Sequence, residues 1–177
     1  MKIAWYDIET KKQVNNWDNL SPVELDVACV HNNSGEKKVF FSPEKLVEEL
    51  NIYDRVVGFN NHRFDDKLLV EKVGKNLPFL LNSIDLLKEI EESTDIKYAT
   101  SLEDLGKSTL GRGKSDDGSN IEDMTIEQKE DYCHSDCKLL KDIYNFAAKH
   151  GYVLISPNKA DLFGDLKLKV NLGGIQQ

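Results

Sequence analysis

Apolar residues enter this chain in short blocks before about residue 60 and in helical stripes after it. Ile3 to Ile8 is apolar on both faces until Asp7 and Glu9, the pattern of a central strand covered from both sides. Val23 to His31 alternates, with Val23, Leu25, Val27 and Cys29 expected on one face. Asn32-Asn33-Ser34-Gly35 spells a turn, and Lys37 to Phe41 returns as a further strand, so an antiparallel meander is expected. Ser42-Pro43 opens a helix that ends near Asn51, with serine as cap and proline in the first turn. Arg55 to Phe59 is a short buried strand, Phe64 to Val73 a helix stopped by Gly74, and Asn82 to Leu86 a short strand with Asp85 at its end as a helix cap. Ser101 to Leu110 is expected to be helical and Gly111 to Asn120 a loop. The longest helix runs from Ile126 to His150, with Thr125 and Gln128 as a capping box and Gly151 as terminator. Its buried stripe is Cys133, Cys137, Leu140, Tyr144 and Ala147.

Strands first, then alternating strand and helix, predict an α/β fold: a mixed sheet flanked by helices on both faces. The 177 residues read as one domain, with a C-terminal β-hairpin within residues 151–172. Three cysteines without framework spacing fit a reducing compartment. No apolar run reaches the roughly 20 residues of a membrane span. Met1 to Trp5 leads straight into a strand rather than a signal peptide. The expectation is a cytoplasmic protein with no membrane association. A net charge of −8 argues against a non-specific nucleic-acid coat, but not against an enzyme that grips one chain end through metal.

The acids carry the chemistry. Asp7 and Glu9 lie two apart on a strand, hence on one face, about 7 Å apart at the Cα atoms. Asp65 opens a helix just after the strand ending Val57-Gly58-Phe59. Asp66 competes for its role, and Asp65 is preferred because Phe64 anchors the turn beside it. Tyr132 and Asp136 are four apart on the long helix and share a face. A strand edge, a helix start and a helix flank can converge on two metals about 3.5–4 Å apart. Clustered carboxylates repel one another unless cations lie between them, and all-oxygen ligands suit Mg2+ or Mn2+. Such a pair serves phosphate chemistry, with Tyr132 within reach to orient a water.

These segments resemble the DEDDy 3′–5′ exonucleases of the ribonuclease H-like superfamily, and are similar to the proofreading domain of family B DNA polymerases. Asp7-Ile8-Glu9 matches the first motif, Gly58-Phe59-Asn60-Asn61 through Phe64-Asp65 the second, and Tyr132 with Asp136 the third. Ser101 to Gly106, continuing to Thr109-Leu110-Gly111 and Lys114, is similar to the segment before the third motif. The resemblance covers roughly residues 1–155. It implies a ribonuclease H-like fold and two-metal removal of nucleotides from a 3′ end of single-stranded nucleic acid. Asp7, Glu9, Asp65 and Asp136 would be the ligands and Tyr132 the water-orienting group. It also implies that Thr10 meets the terminal sugar and that an asparagine, Asn60 or Asn61, contacts substrate. Trp17 is a candidate stacking platform, and Lys114 and Arg112 are candidate phosphate contacts.

The resemblance to proofreading domains favours DNA. An exoribonuclease is the alternative, since no residue reports on a 2′-hydroxyl. A non-catalytic binding domain on the same fold is a third reading, which idle clustered acids argue against. Ser108 to Ser115 nearly spells a phosphate-binding loop, but serine replaces its first glycine and a helical run precedes it. Cys133, His134 and Cys137 lack a second ligand pair, and the cysteines read as buried small hydrophobes.

Overall fold

The computed structural model describes residues 1–12, 14, 16–114, 123–156 and 168–171. Its main sheet has five strands: β1 (Ile3–Thr10), β2 (Leu25–Asn32), β3 (Lys37–Phe40), β4 (Arg55–Gly58) and β5 (Ser83–Asp85), in the order β3-β2-β1-β4-β5. β1 lies at the centre, antiparallel to β2 and parallel to β4. β3 extends the antiparallel side and β5 the parallel side. The helices are α1 (Pro43–Leu50), α2 (Asp65–Val73), α3 (Leu86–Thr94), α4 (Leu102–Leu110) and α5 (Ile126–His150).

Alternation along β1 separates two cores. Ala4, Tyr6 and Ile8 face a layer built from Leu46, Val47 and Leu50 of α1, Leu68 and Leu69 of α2, and Phe79. Trp5 and Val57 face the other layer, from Leu86 and Ile90 of α3, Leu105 of α4, and Leu139, Leu140, Ile143 and Tyr144 of α5. A fully buried side chain of this size contributes about 2 kcal/mol, against about 1 kcal/mol for a helix cap. Packing therefore positions the helices, and the caps trim their ends. Ser42 caps α1, Thr125 and Gln128 form the capping box of α5, and Gly151 ends α5 in the left-handed region at φ 75°.

The fold is the expected mixed α/β sheet with helices on both faces, and two local readings change, at β2 and at the strand over 82–86. β2 is buried along nearly its whole length because α5 covers one face and the α1/α2 layer the other. A bulge at Glu9/Thr10 shifts the β1–β2 register. As a result Val23 and Leu25 pack with the α1/α2 layer, whereas Cys29 packs on the opposite side with Cys133 and Cys137. The strand expected over 82–86 is only Ser83–Asp85, because a 3-10 turn over Pro78–Asn82 precedes it and Asp85 already caps α3. The near-phosphate-loop is, as expected, no such loop over its described part: Ser108 to Leu110 is the last turn of α4, and Gly111 is its left-handed cap. Its final residue, Ser115, and the rest of the expected loop to Asn120 lie outside the described residues. At the C-terminal end, β6 (Tyr152–Ile155) pairs antiparallel with β7 (Leu168–Asn171). No helix among the described residues is long and apolar enough to cross a membrane.

α4 meets α5 at Gly106, where an added Cβ would lie 2.7 Å from the Arg112 carbonyl oxygen and 2.9 Å from Leu139 Cδ1. Alanine gains about 1 kcal/mol of helix propensity, but overpacking costs about 1–3 kcal/mol. We expect Gly106→Ala to be destabilised by about 1 kcal/mol or more, seen as a lower urea midpoint at unchanged slope.

Candidate active site

The two-residue period of β1 points Asp7 and Glu9 to the same side as Trp5, towards α5, while Ile8 enters the opposite core. α5 answers with Tyr132 and Asp136 on one face. The Cys133 thiol donates to the Asp7 main-chain carbonyl at 3.3 Å, and the Cys137 thiol donates to that of Cys29 at 3.2 Å. These small buried thiols let the helix approach the sheet closely. His134 takes no part in a cysteine clasp; its Nδ1 lies 3.0 Å from His31 Nε2. Asp65 arrives from the parallel half of the sheet, as the first residue of α2 after β4. Asp7, Glu9, Asp65, Tyr132 and Asp136 line one open pocket of about 720 Å³.

Carboxylate oxygens of Asp7, Glu9 and Asp136 lie within 4.8 Å of one another. Asp65 stands outside that closest group but lines the same pocket, and the Asp7 charge acts on it. Asp65 and Asp66 have opposite surroundings. Asp66 accepts hydrogen bonds from the Tyr6 hydroxyl, from Asn61 Nδ2 (3.1 Å) and from Ser83 Oγ (2.8 Å), so its oxygens are spent inside the fold. Asp65 Oδ1 is buried with no partner, as are Asp7 Oδ2 and Asp136 Oδ1. Buried polar atoms are nearly always satisfied. Of five unpaired buried side-chain atoms among the described residues, three belong to these carboxylates. An orphaned set of hard oxygen donors fits a divalent cation.

Burial and mutual repulsion hold the acids towards their neutral forms. Burial raises Asp7. Burial and the Asp7 charge raise Asp65 well above the usual carboxylate range, and the same two causes push Asp136 up to about 7. Burial, with Asp7 and Asp136 nearby, pushes Glu9 up to about 10. Lys114 supplies a cation here, its Nζ 2.5 Å from Asp136 Oδ2 and 2.8 Å from the Tyr132 hydroxyl. Burial works against its charge, but Asp136 and Tyr132 outweigh that and raise its pKa. Burial, then Asp136, also raises the Tyr132 phenol.

The remaining candidates divide. Thr10 is buried just past the bulge, lines the pocket and donates through Oγ1 to the Lys12 carbonyl at 2.8 Å. Asn60 lines the pocket in the left-handed region at φ 62°, whereas Asn61 is buried against Gly58, bonded to Asp66 and Ser83. Asn61 Nδ2 thus braces the turn and only its Oδ1 is left without a partner, whereas Asn60 is the asparagine that lines the pocket. Trp17 reaches the pocket with its ring 4.9 Å from Phe64. Arg112 is turned away, paired with Asp142 on the surface.

Asp85 does more than cap α3: its carboxylate accepts the backbone N–H groups of Asn60 (2.8 Å) and His62 (3.2 Å), fixing the turn before Asp65. Tyr98, which sequence reading passes over, also lines the pocket. An exposed aromatic in a polar stretch, it carried the same signal that singled out Trp17.

No family model matches the chain, and no curated protein matches it. Among solved structures the fold is similar to the family B DNA polymerase from the hyperthermophilic archaeon Pyrobaculum calidifontis, at TM-score 0.64 and 13% identity, over 82% of this chain and 24% of that one. It is also similar to exonuclease I in complex with the inhibitor BCBP, at TM-score 0.51 and 13% identity, over 84% of this chain and 41% of that one. The chain thus spans less than half the length of either. The likeness is one of fold alone: an α/β arrangement with a mixed sheet.

Raised carboxyl pKa values make the metal-free fold bind more protons than the unfolded chain, whose carboxyls titrate near about 4. Stability from this source is full below that value and is lost as pH rises through about 7 at Asp136 and on towards about 10 at Glu9. In chelator we expect the melting temperature to fall from pH 5 to pH 9. Adding Mn2+ should flatten that slope, and Asp7→Asn should make it shallower without metal. Melting curves across this range check both.

Proposed function

We propose that this chain is a metal-dependent 3′–5′ exonuclease that hydrolyses the terminal phosphodiester of single-stranded nucleic acid, with DNA preferred over RNA. The 177 residues would form one domain, and their buried thiols suit the cytoplasm, where they stay reduced. The observation that carries the reading is the set of orphaned carboxylate oxygens of Asp7, Asp65 and Asp136 around one open pocket, with Glu9 beside Asp7 and Asp136. Its similarity in fold to exonuclease I and to a family B DNA polymerase supports the reaction class and the DNA preference.

Asp7, Glu9, Asp65 and Asp136 would hold two divalent ions, Mg2+ or Mn2+, which would lower the pKa of a water and neutralise charge on the scissile phosphate. The rest follows from the chain's own groups. Lys114 donates to the Tyr132 oxygen, which leaves the phenol's own proton to be donated into the pocket. Tyr132, almost fully buried, is thereby held to orient the attacking water rather than to drift into solvent. The high phenol pKa keeps that proton in place at neutral pH. Water oxygen bonds to phosphorus, the 3′ oxygen of the preceding nucleotide leaves, and a proton passes to it. The products are a 5′-mononucleotide and a strand one residue shorter. Thr10 and Asn60 flank the acids on the β1 and β4 sides, where they would grip the terminal nucleotide.

Labelled single-stranded DNA and RNA incubated with Mg2+ or Mn2+ test the proposal. We expect mononucleotide release from the 3′ end, faster on DNA. Asp7→Ala and Asp136→Ala should abolish release while the fold persists. Faster RNA trimming would move the assignment to an exoribonuclease, and inertness on both with binding retained would leave only a binding domain. Tyr132→Phe should slow hydrolysis roughly a hundred-fold with metal-induced stabilisation intact; an undiminished rate removes the phenol from the mechanism.

A further inference from the structure

We infer that a second cleft, between Trp17 and Tyr98, binds the unpaired bases that precede the terminal nucleotide. This rests on the nuclease reading for the direction of the strand. The cleft has a volume of about 550 Å³ and is lined by Trp17, Asp18, Asn60, Arg63, Lys67 and Tyr98. Trp17, Asn60 and Tyr98 also line the acidic pocket, so the two spaces adjoin.

Two large aromatics stand exposed at its walls, Trp17 at 48% and Tyr98 at 66%. Single exposed aromatics are ordinary. Two in one cleft beside a guanidinium, each held by the fold, are not. Trp17 rests on Phe64, a residue of the acidic pocket. Tyr98 sits in the left-handed region at φ 51°, where a bulky residue needs support. The support is buried Glu91, which accepts the Tyr98 backbone N–H at 2.6 Å and both guanidinium nitrogens of Arg63, at 3.0 and 2.5 Å. Arg63 in turn lies with Cζ 4.9 Å from the Tyr98 ring centroid. Glu91 and Arg63 thus hold the tyrosine ring in solvent beside the path into the acids.

The chemistry that fits is an unpaired nucleobase. Every base has a π face, so aromatic and guanidinium planes bind single strands with little sequence preference, whereas a duplex offers its bases only to itself. The lining carries little net charge: Lys67 and Asp18 are of opposite sign, and Arg63 is already paired with buried Glu91 behind the wall. Stacking rather than counterion release therefore carries the binding, which suits a chain of net charge −8.

Intrinsic fluorescence of the full chain in EDTA gives the test without cleavage, because Trp17 is exposed and the other tryptophan, Trp5, is 1% exposed. Oligo-dT and oligo-rU of two, four and six nucleotides, and a blunt DNA duplex, serve as ligands. Tetramers and hexamers should quench the emission and bind more tightly than dinucleotides; the duplex should not quench. Tyr98→Ala should weaken hexamer binding roughly ten-fold and remove the gain with length, and Tyr98→Phe should restore both. Binding without quenching, no binding of single strands, or an unchanged affinity in Tyr98→Ala overturns the cleft. Quenching and length dependence without hydrolysis in Mn2+ would instead defeat the nuclease reading and leave the cleft standing. Hydrolysis with unchanged KM in Tyr98→Ala would defeat only the cleft.

Discussion

Like charge held in a small volume governs this molecule. Oxygens of three carboxylates fall within 4.8 Å of one another, and a fourth acid lines the same pocket. Water would screen such a group, but α5 lies against β1 and takes much of that water away. The fold can tolerate the cluster in two ways: by keeping protons on the acids, or by placing cations among them. Lys114 is a partial answer from within the chain, reaching Asp136 and Tyr132 but leaving oxygens of Asp7 and Asp65 without a partner. What remains unmet is a demand for charge from outside, and that demand is the physical basis of the proposed reaction.

Neighbouring residues are given opposite work throughout the site. Asp66 and Asn61 face inward, where Tyr6 and Ser83 donate to Asp66 and Asn61 Nδ2 bridges Asp66 and Ser83, tying α2 to the sheet. Asp65 and Asn60, one step away in each case, face the pocket. Gly58 permits this arrangement, since a Cβ there would stand 2.5 Å from the Asn61 side chain. The inward partners supply rigidity, and the outward ones are left free to meet a ligand.

Much of this was legible from residue order. The pairing of Asp7 with Glu9 followed from strand periodicity, and that of Tyr132 with Asp136 from helix periodicity. The two-sided burial of β1 and the stripe of α5 came from the same arithmetic. The Glu9/Thr10 bulge was not legible, because a register shift depends on the partner strand rather than on local pattern, and it reversed the expected facing of Val23 and Leu25. The choice between Asn60 and Asn61 stayed open for a similar reason: only the contact with Gly58 and Ser83, distant in space from a linear reading, decides which side chain is spent. Lys114 was read as a phosphate contact. Its ion pair with Asp136 crosses 22 positions and carries no local signature.

β1 is hydrogen-bonded along both edges, to β2 over its full length and to β4 over its first half. The strand that presents Asp7 and Glu9 is therefore among the last parts of the chain to open, and local fluctuations leave it in place. Damage to the core would accordingly lower the number of competent molecules rather than the competence of each. A weakened variant would lose output in step with its folded fraction, while every surviving copy turned over at its original pace.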